Sequence, residues 1–338
     1  MSTHIAFPSI EQFKNAVRRV TDHATYMGRD GNDDPVYDRS IIPPTLKYQA
    51  TTKLHGTNFA MGRTKSTGEI WFQSRETIIT PEKDNAGAAR FFSSKDLNSL
   101  FDAIDGDHVI IYGEWCGKGI QSKVAIVELP KMLVVFDAYI LDDDKWLSAE
   151  KVKEIKSPEN QIYNIYDYPT WEIEIDFSKP ELSQNRLVEI TTEIADCCPV
   201  GKAFGVEGIG EGAVWRCITE GYEDPKFRFK VKDERHANGS KPKVLNAVDS
   251  EAITRLRELA DKVTPVWRLD QMVEKACDLN NGGRIELKQI PIFLKLVSDD
   301  IIKEEADFLT TENVKYEDIA KFVSTISRTY FLQREKQL

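Results

Sequence analysis

Histidine and cysteine are both scarce in this chain, with five of each in 338 residues. The cysteines (Cys116, Cys197, Cys198, Cys217, Cys277) are odd in number and irregularly spaced. They form no Cys-x-x-Cys pair and no Cys/His spacing suited to zinc, so a structural metal is not expected and reduced thiols in a cytoplasmic protein are. No apolar run approaches the ~20 residues needed to span a bilayer, so no membrane partner is expected. Met1 to Ile10 shows no basic stretch followed by an apolar one, so no secretory signal is read there. The Asn238-Gly239-Ser240 sequon then carries no meaning. Positive charge is also lacking overall: the net charge is −10. That excludes a protein coated in positive potential but not one that binds nucleic acid through a local patch. One such stretch exists, Lys226 to Lys243, where seven basic residues face two acidic ones.

What is present is ordinary for a globular chain, 41% apolar and 30% charged residues, and the length allows two domains or one large and one small. Ser9 to Val20 reads as an amphipathic helix capped by Ser9 with Gln12 at the capping-box position. Gly28 to Asp38 is acidic and turn-rich, a hairpin tip or a loose loop, and Pro43-Pro44 bars helix after it. Strands are predicted at Leu46–Lys53, Asn58–Thr64, Ile70–Arg75, Val109–Glu114 and Met132–Leu141, with a hairpin turn at Thr67-Gly68. A helix near Ser93–Ile104 interrupts them. Residues 142–200 are acidic and mixed, with helices at Ser148–Ile155 and Ser183–Cys197. Strands resume at Ala213–Thr219 and Phe227–Val231. Beyond about Lys243 only helices follow, at Ser250–Val263, Val266–Leu279, Ile292–Ile302 and Tyr316–Phe331, with Lys241-Pro242-Lys243 as the linker. The expected fold class is α+β, mainly antiparallel sheet with a smaller all-helical C-terminal domain, divided as 1–243 and 244–338.

Two Gly-Lys pairs, Gly117-Lys118 and Gly201-Lys202, fail as phosphate loops. Position five before each glycine is Tyr112 or Asp196, and Gly119 or Ala203 follows the lysine where Ser or Thr is required. The Asp278 to Gly283 run fails as a calcium loop, since its fifth position is Gly282 and its twelfth is the neutral Gln289.

The stretch that holds together is Lys53-Leu54-His55-Gly56-Thr57-Asn58-Phe59. A lysine at a strand end followed by glycine is weak evidence alone, because most such lysines are simply solvated. Here further segments follow in order: Gln73-Ser74-Arg75, then Tyr112-Gly113-Glu114-Trp115-Cys116-Gly117-Lys118-Gly119-Ile120-Gln121, then Phe136-Asp137. Glu211-Gly212-Ala213-Val214-Trp215-Arg216 and Lys230-Val231-Lys232 complete the set. An amine that attacks a phosphate must be neutral at that moment, whereas a lysine at its ordinary pKa of ~10.4 is almost wholly protonated at neutral pH. Nearby cations favour the neutral form. Lys230 and Lys232, alternate residues of one strand, place two cations on one face. Glu211 offers a hard oxygen ligand of the kind Mg²⁺ prefers. Bland readings stay open: Arg75 and Glu114 as a surface pair, Phe136 as core, Glu211 as a turn residue, Lys230 and Lys232 as a solvated edge, and His55 as a structural hydrogen-bonding group.

The order and content of these segments resemble the covalent nucleotidyltransferase superfamily of polynucleotide ligases and capping enzymes. The Lys53 and Glu114 segments narrow the resemblance to the RNA ligase 2 family, typified by phage enzymes, over about residues 45–235. That resemblance implies an ATP-grasp-like ligase core and an ATP-dependent RNA ligase with Mg²⁺ or Mn²⁺ as metal. Its partner would be RNA with 3′-hydroxyl and 5′-phosphate ends, at nicks in duplex RNA or on a bridging strand, with the helical domain helping to bind it. Lys53 would become adenylated. Arg75 and Glu114 would contact the ribose or its neighbours, Phe136 would stack on adenine, Glu211 would serve the metal, and Lys230 and Lys232 would hold the AMP phosphate. His55 and Asn58 match family positions of functional weight without an assigned task. Two departures stand out: Thr52 where an acidic residue often precedes the nucleophile, and Arg216 where lysine is common. The competing readings are a DNA ligase or GTP-using capping enzyme, against which the all-helical tail counts, and a non-catalytic nucleic-acid-binding module, against which the intact set of site residues counts.

Overall fold

A computed structural model of the chain describes residues 3–233, 235, 249–279 and 282–336. The linker predicted at Lys241-Pro242-Lys243 and the sequon lie outside these residues. The chain divides into two compact units, Met1–Val20 with Thr45–Asn246, and Thr21–Pro44 with Ala247–Leu338.

In chain order the elements are β1 (Glu11–Gln12), α1 (Phe13–Thr25), β2 (Tyr26–Arg29), β3 (Pro35–Tyr37), β4 (Thr45–Lys53), β5 (Thr57–Thr64), β6 (Glu69–Ser74), β7 (Ile78–Ile79), α2 (Ala88–Phe92) and α3 (Asn98–Asp102). They continue with β8 (His108–Cys116), β9 (Met132–Ile140), β10 (Lys145–Trp146), α4 (Ala149–Val152), β11 (Ile162–Asn164), β12 (Trp171–Asp176), α5 (Gln184–Asp196), α6 (Pro199–Ala203), β13 (Gly212–Cys217) and β14 (Phe229–Lys232). Among the described residues only helices follow: α7 (Ser250–Val263), α8 (Val266–Cys277), α9 (Ile290–Glu304), α10 (Ala306–Thr311) and α11 (Tyr316–Lys336).

The larger unit is built on two sheets. The first has the order β1-β14-β13-β4-β12, and the second runs β10-β9-β8-β5-β6-β7 with β11 beside β9. Pairing is antiparallel except for β1 with β14 and β11 with β9. Alternation fixes which side chains go where. On β4, β13 and β14, Tyr48, Ala50, Ala213, Trp215, Phe229 and Val231 pack against Phe13, Ala16 and Val20 of α1 and Leu187, Ile190 and Ile194 of α5. The intervening residues Thr51, Lys53, Val214, Arg216, Lys230 and Lys232 therefore share the opposite face. The second sheet buries Phe59, Met61, Val109, Ile111, Leu133 and Val135 against α2 and α3.

Three sequence expectations change. The first helix starts at Phe13, not Ser9, because Glu11 and Gln12 pair with Phe229 and Lys230 and so are held extended. The single helix expected near Ser93–Ile104 is two short ones flanking a turn. Residues 142–200 also contain strands, β10, β11 and β12. In the smaller unit, Gly28 to Asp38 forms the hairpin of β2 and β3. The helices of that unit bury Leu259, Val263, Leu269, Met272, Phe293, Val297 and Phe331 in one cluster. Asp249 caps α7 by accepting the Ala252 amide at 2.8 Å. No helix among the described residues is long and apolar enough to cross a membrane.

Candidate active site

Lys53 is the last residue of β4, and its partner across β13 is Gly212, which in turn faces Lys232 of β14. The rung therefore reads lysine, glycine, lysine. Gly212 adopts φ +144°, and a Cβ there would lie 2.3 Å from the Val231 carbonyl oxygen, so only glycine suits the position. The preceding residue, Glu211, is 2% exposed and turns its carboxylate to both lysines. Lys53 Nζ donates to Oε2 at 2.6 Å, and Lys232 Nζ lies 2.5 Å from Oε1. His55 Nδ1 sits 3.5 Å from Oε2. Burial pushes the Glu211 carboxyl up, but His55, Lys53 and Lys232 outweigh it and hold the group well below the usual carboxylate range.

Beside this rung opens a cavity of about 400 Å³ between the two sheets, within the usual range for small-molecule sites. The first sheet contributes Thr51, Lys53, Val214, Arg216 and Lys230 to its walls, and Arg228 lies just before β14. The second sheet contributes Asn58, Glu114, Val134 and Phe136, and Arg75 follows β6. Glu114 Oε1 accepts the Gly56 amide at 2.8 Å. Burial raises the Glu114 carboxyl above its ordinary value, against Lys53 and that amide, with Glu211 adding to the rise. Burial likewise lowers the Lys230 ammonium, and Lys53, Lys232 and Arg75 act in the same direction. Gly56 is obligatory too, since a Cβ would meet the Trp115 carbonyl oxygen at 2.3 Å.

Phe136 owes its position to a bulge. Tyr112 pairs with Asp137 and Gly113 with Val135, so Phe136 is the extra residue of β9. Before the bulge Leu133 and Val135 face the helical core, and after it Ala138 and Ile140 do. Two consecutive residues, Phe136 and Asp137, thereby face the inter-sheet side. Asp137 is fully buried and pairs with Arg228, and with Arg216 at 3.5 Å. Arg216 also donates to the Leu147 carbonyl and to Tyr166 Oη at 3.4 Å.

Of the residues singled out from the sequence, Lys53, Asn58, Arg75, Glu114, Phe136 and Lys230 line the cavity. His55 and Lys232 gather with Lys53 at the Glu211 carboxylate rather than in the cavity wall. Thr52 also borders the cavity, but alternation sends its side chain to the helix-packed face with Ala50. The basic stretch from Lys226 is not one surface patch. Arg228 is buried against Asp137, Lys232 pairs with Glu211, and Arg235 with Asp196 and Asp233; Lys241 and Lys243 fall outside the described residues. Sequence reasoning missed the contributions of Phe7, Arg228 and Tyr166. The shift of apolar parity along Leu133, Val135, Ala138 and Ile140 was the available signal for the bulge.

The model of one family, RNA ligase, matches residues 46–232. That is more than half of the chain and takes in every one of these site residues from Lys53 to Lys232. The chain belongs to the RNA ligase family. Among solved structures, an RNA ligase of Naegleria gruberi with PPi is similar at 17% identity and a TM-score of 0.44, over 71% of this chain and 59% of that one. A variant of the same ligase with ATP and manganese is similar at 18% identity and a TM-score of 0.43, over 70% and 58%. The chain thus spans about three-fifths of the length of these solved ligases. No match was found among curated proteins.

Proposed function

We propose that this RNA ligase uses ATP and works through a lysyl-adenylate on Lys53, joining 3′-hydroxyl and 5′-phosphate RNA ends at nicks in duplex RNA or on a bridging strand. The observation that carries this is the Lys53–Gly212–Lys232 rung around Glu211, placed at a cavity with room for a nucleotide. In the first step the Lys53 amine gives up its proton and its lone pair attacks the α-phosphorus. A nitrogen–phosphorus bond forms, and the bond to diphosphate breaks. The AMP then passes to an RNA 5′-phosphate, and a 3′-hydroxyl displaces it to make the phosphodiester. Each transfer is a matter of position and charge stabilisation.

The residues present suit those tasks. Lys53 donates to Glu211, and the amine must lose a proton before its lone pair can attack, while a remaining N–H can still donate to that carboxylate. Lys230 and Lys232 offer cations to the phosphate from one strand face, and Phe136 offers a ring to the base. Glu114 and Arg75 stand on the cavity wall where a ribose would lie. With the Thr52 side chain turned away, a base contact at that position would come from backbone. Glu211 is the residue that would hold Mg²⁺ or Mn²⁺. Its carboxylate is already compensated by cations, and no group of three or more His, Cys, Asp or Glu among the described residues could hold a metal by itself. That fits a Mg²⁺ bound through one carboxylate, waters and substrate phosphates. Such an ion supplies neutralisation of phosphate charge.

The division into an adenylyl-transfer part, residues 1–243, and an RNA-contacting helical part, 244–338, belongs to the same proposal. Acidic residues outnumber basic ones across 244–338. RNA contact there would come from a local set of cations, with little sequence specificity and strong salt dependence. The test is incubation with Mg²⁺ and α-labelled ATP or GTP, followed by denaturing electrophoresis. Label from ATP is expected. Label from GTP alone would refute the ATP-ligase assignment, and label from neither, on folded and unadenylated protein, would favour a binding module.

A further inference from the structure

Phe7 lies outside the span that the family's model matches, which begins at residue 46, yet it lines the cavity and is 3% exposed. Its ring meets Phe136 edge-on, with centroids 4.9 Å apart and planes at 73°. It also meets Trp146 at 5.4 Å, and the Arg228 guanidinium lies 5.6 Å from its centroid. The segment that carries it is fastened at both ends. Upstream, the Ile5 carbonyl accepts from Tyr112 Oη at 2.8 Å and from Gln73 Nε2 at 2.6 Å, and the Ile5 amide donates to Gln73 Oε1 at 3.4 Å. Downstream, Glu11 and Gln12 pair with Phe229 and Lys230 of β14. Residues 5–12 therefore run as a strap from the second sheet to the first, and Phe7 and Ile10 face the cavity between the fastenings.

We propose that Phe7 is a positioning residue of the nucleotide site, setting the ring of Phe136 and closing the wall against which the base lies. Phe136 is the extra residue of a bulge, where the strand ladder is interrupted, so its own strand constrains it less than its neighbours. An edge-to-face aromatic partner supplies the missing constraint. The same ring lies over the guanidinium of Arg228, another residue of that wall. Because β1 pairs with the strand bearing Lys230, nucleotide held between Phe136 and Lys230 also steadies the strap. The proposal rests on the ligase reading above.

The experiment compares wild type, Phe7→Leu, Phe7→Ala and Phe7→Tyr in adduct formation from ATP, with hydrogen exchange of wild type measured with and without ATP. Leucine fills space without offering a ring edge, and tyrosine restores the ring. Phe7→Leu is expected to raise KM for ATP roughly tenfold with kcat little changed, the mark of lost uniform binding, and Phe7→Tyr to restore it. ATP is expected to slow exchange of the amides of residues 5–12. A folded Phe7→Leu or Phe7→Ala protein with wild-type KM overturns the proposal, and so does unchanged exchange in the strap. If wild type forms no adduct, the ligase reading falls. The exchange arm with ATP alone still decides whether the strap belongs to a nucleotide site.

Discussion

Replacing Asp137 with asparagine removes the carboxylate that two buried arginines share. Asp137 is fully buried and its partners Arg216 and Arg228 have side chains 7% and 4% exposed. Arg228 already has Nε and one terminal nitrogen without a hydrogen-bond partner, so little else is on hand to compensate it. Breaking a buried ion pair by removing one partner costs about 3–5 kcal/mol, because an uncompensated charge stays behind. For a unit of this size each kcal/mol moves the thermal midpoint by about 2–4 °C, so Asp137→Asn is expected to lower it by about 6–20 °C. Asparagine keeps the shape and one acceptor oxygen, which favours the lower part of that range. Thermal unfolding followed by circular dichroism reads the shift. Adding Arg228→Met should recover part of the loss, since it removes a buried charge that Asp137→Asn leaves unpaired. A midpoint lowered by less than ~2 °C would refute the view that this pairing holds the cavity wall together.

Other outcomes follow from the same geometry. The Glu211 carboxyl is held below its usual range in the folded protein, so it contributes stability above the ordinary carboxylate pKa that is lost as pH falls toward the folded value. Glu211→Gln should therefore flatten the acid side of a stability-versus-pH curve below about pH 4.3; a curve parallel to wild type there would contradict the charge assignment. Gly56→Ala places a methyl 2.3 Å from the Trp115 carbonyl oxygen and disturbs the amide that Glu114 accepts. It should cost about 1–3 kcal/mol and raise KM for ATP, read by calorimetry and adduct kinetics; wild-type values in both would show the space to be there after all.

Much of the larger unit is legible from period-two patterning. Tyr48 and Ala50 alternate with Thr51 and Lys53, and Phe59 and Met61 alternate with polar or small residues, so β4 and β5 announce both their extent and their buried face. Residues that line the cavity are legible for a different reason: Lys53, Asn58, Arg75 and Glu114 sit in short polar motifs at or near strand ends. What escaped has physical causes. Two- and three-residue strands such as β1 and β11 are too short to show a period and exist only because a partner strand is there. Trp171 to Asp176 does alternate, but its glutamates made the region read as an acidic mixture. Asp137, Arg216 and Arg228 look like surface charges in a sequence, since only the fold reveals that they compensate one another. Phe7 sits in a segment without regular structure, where nothing in the pattern says which aromatic will be buried. The grouping of Thr21–Pro44 with the C-terminal helices depends on packing between segments remote in sequence.

The central claim is that Lys53 is the nucleophile. Incubation with ATP and Mg²⁺, followed by intact mass and peptide mapping, reads it directly. The expected result is one adenylyl group, on the peptide containing Lys53, absent from Lys53→Ala, while that variant still seals a pre-adenylated RNA strand. An adenylyl group on any other residue, or an adduct that survives in Lys53→Ala, would contradict the account.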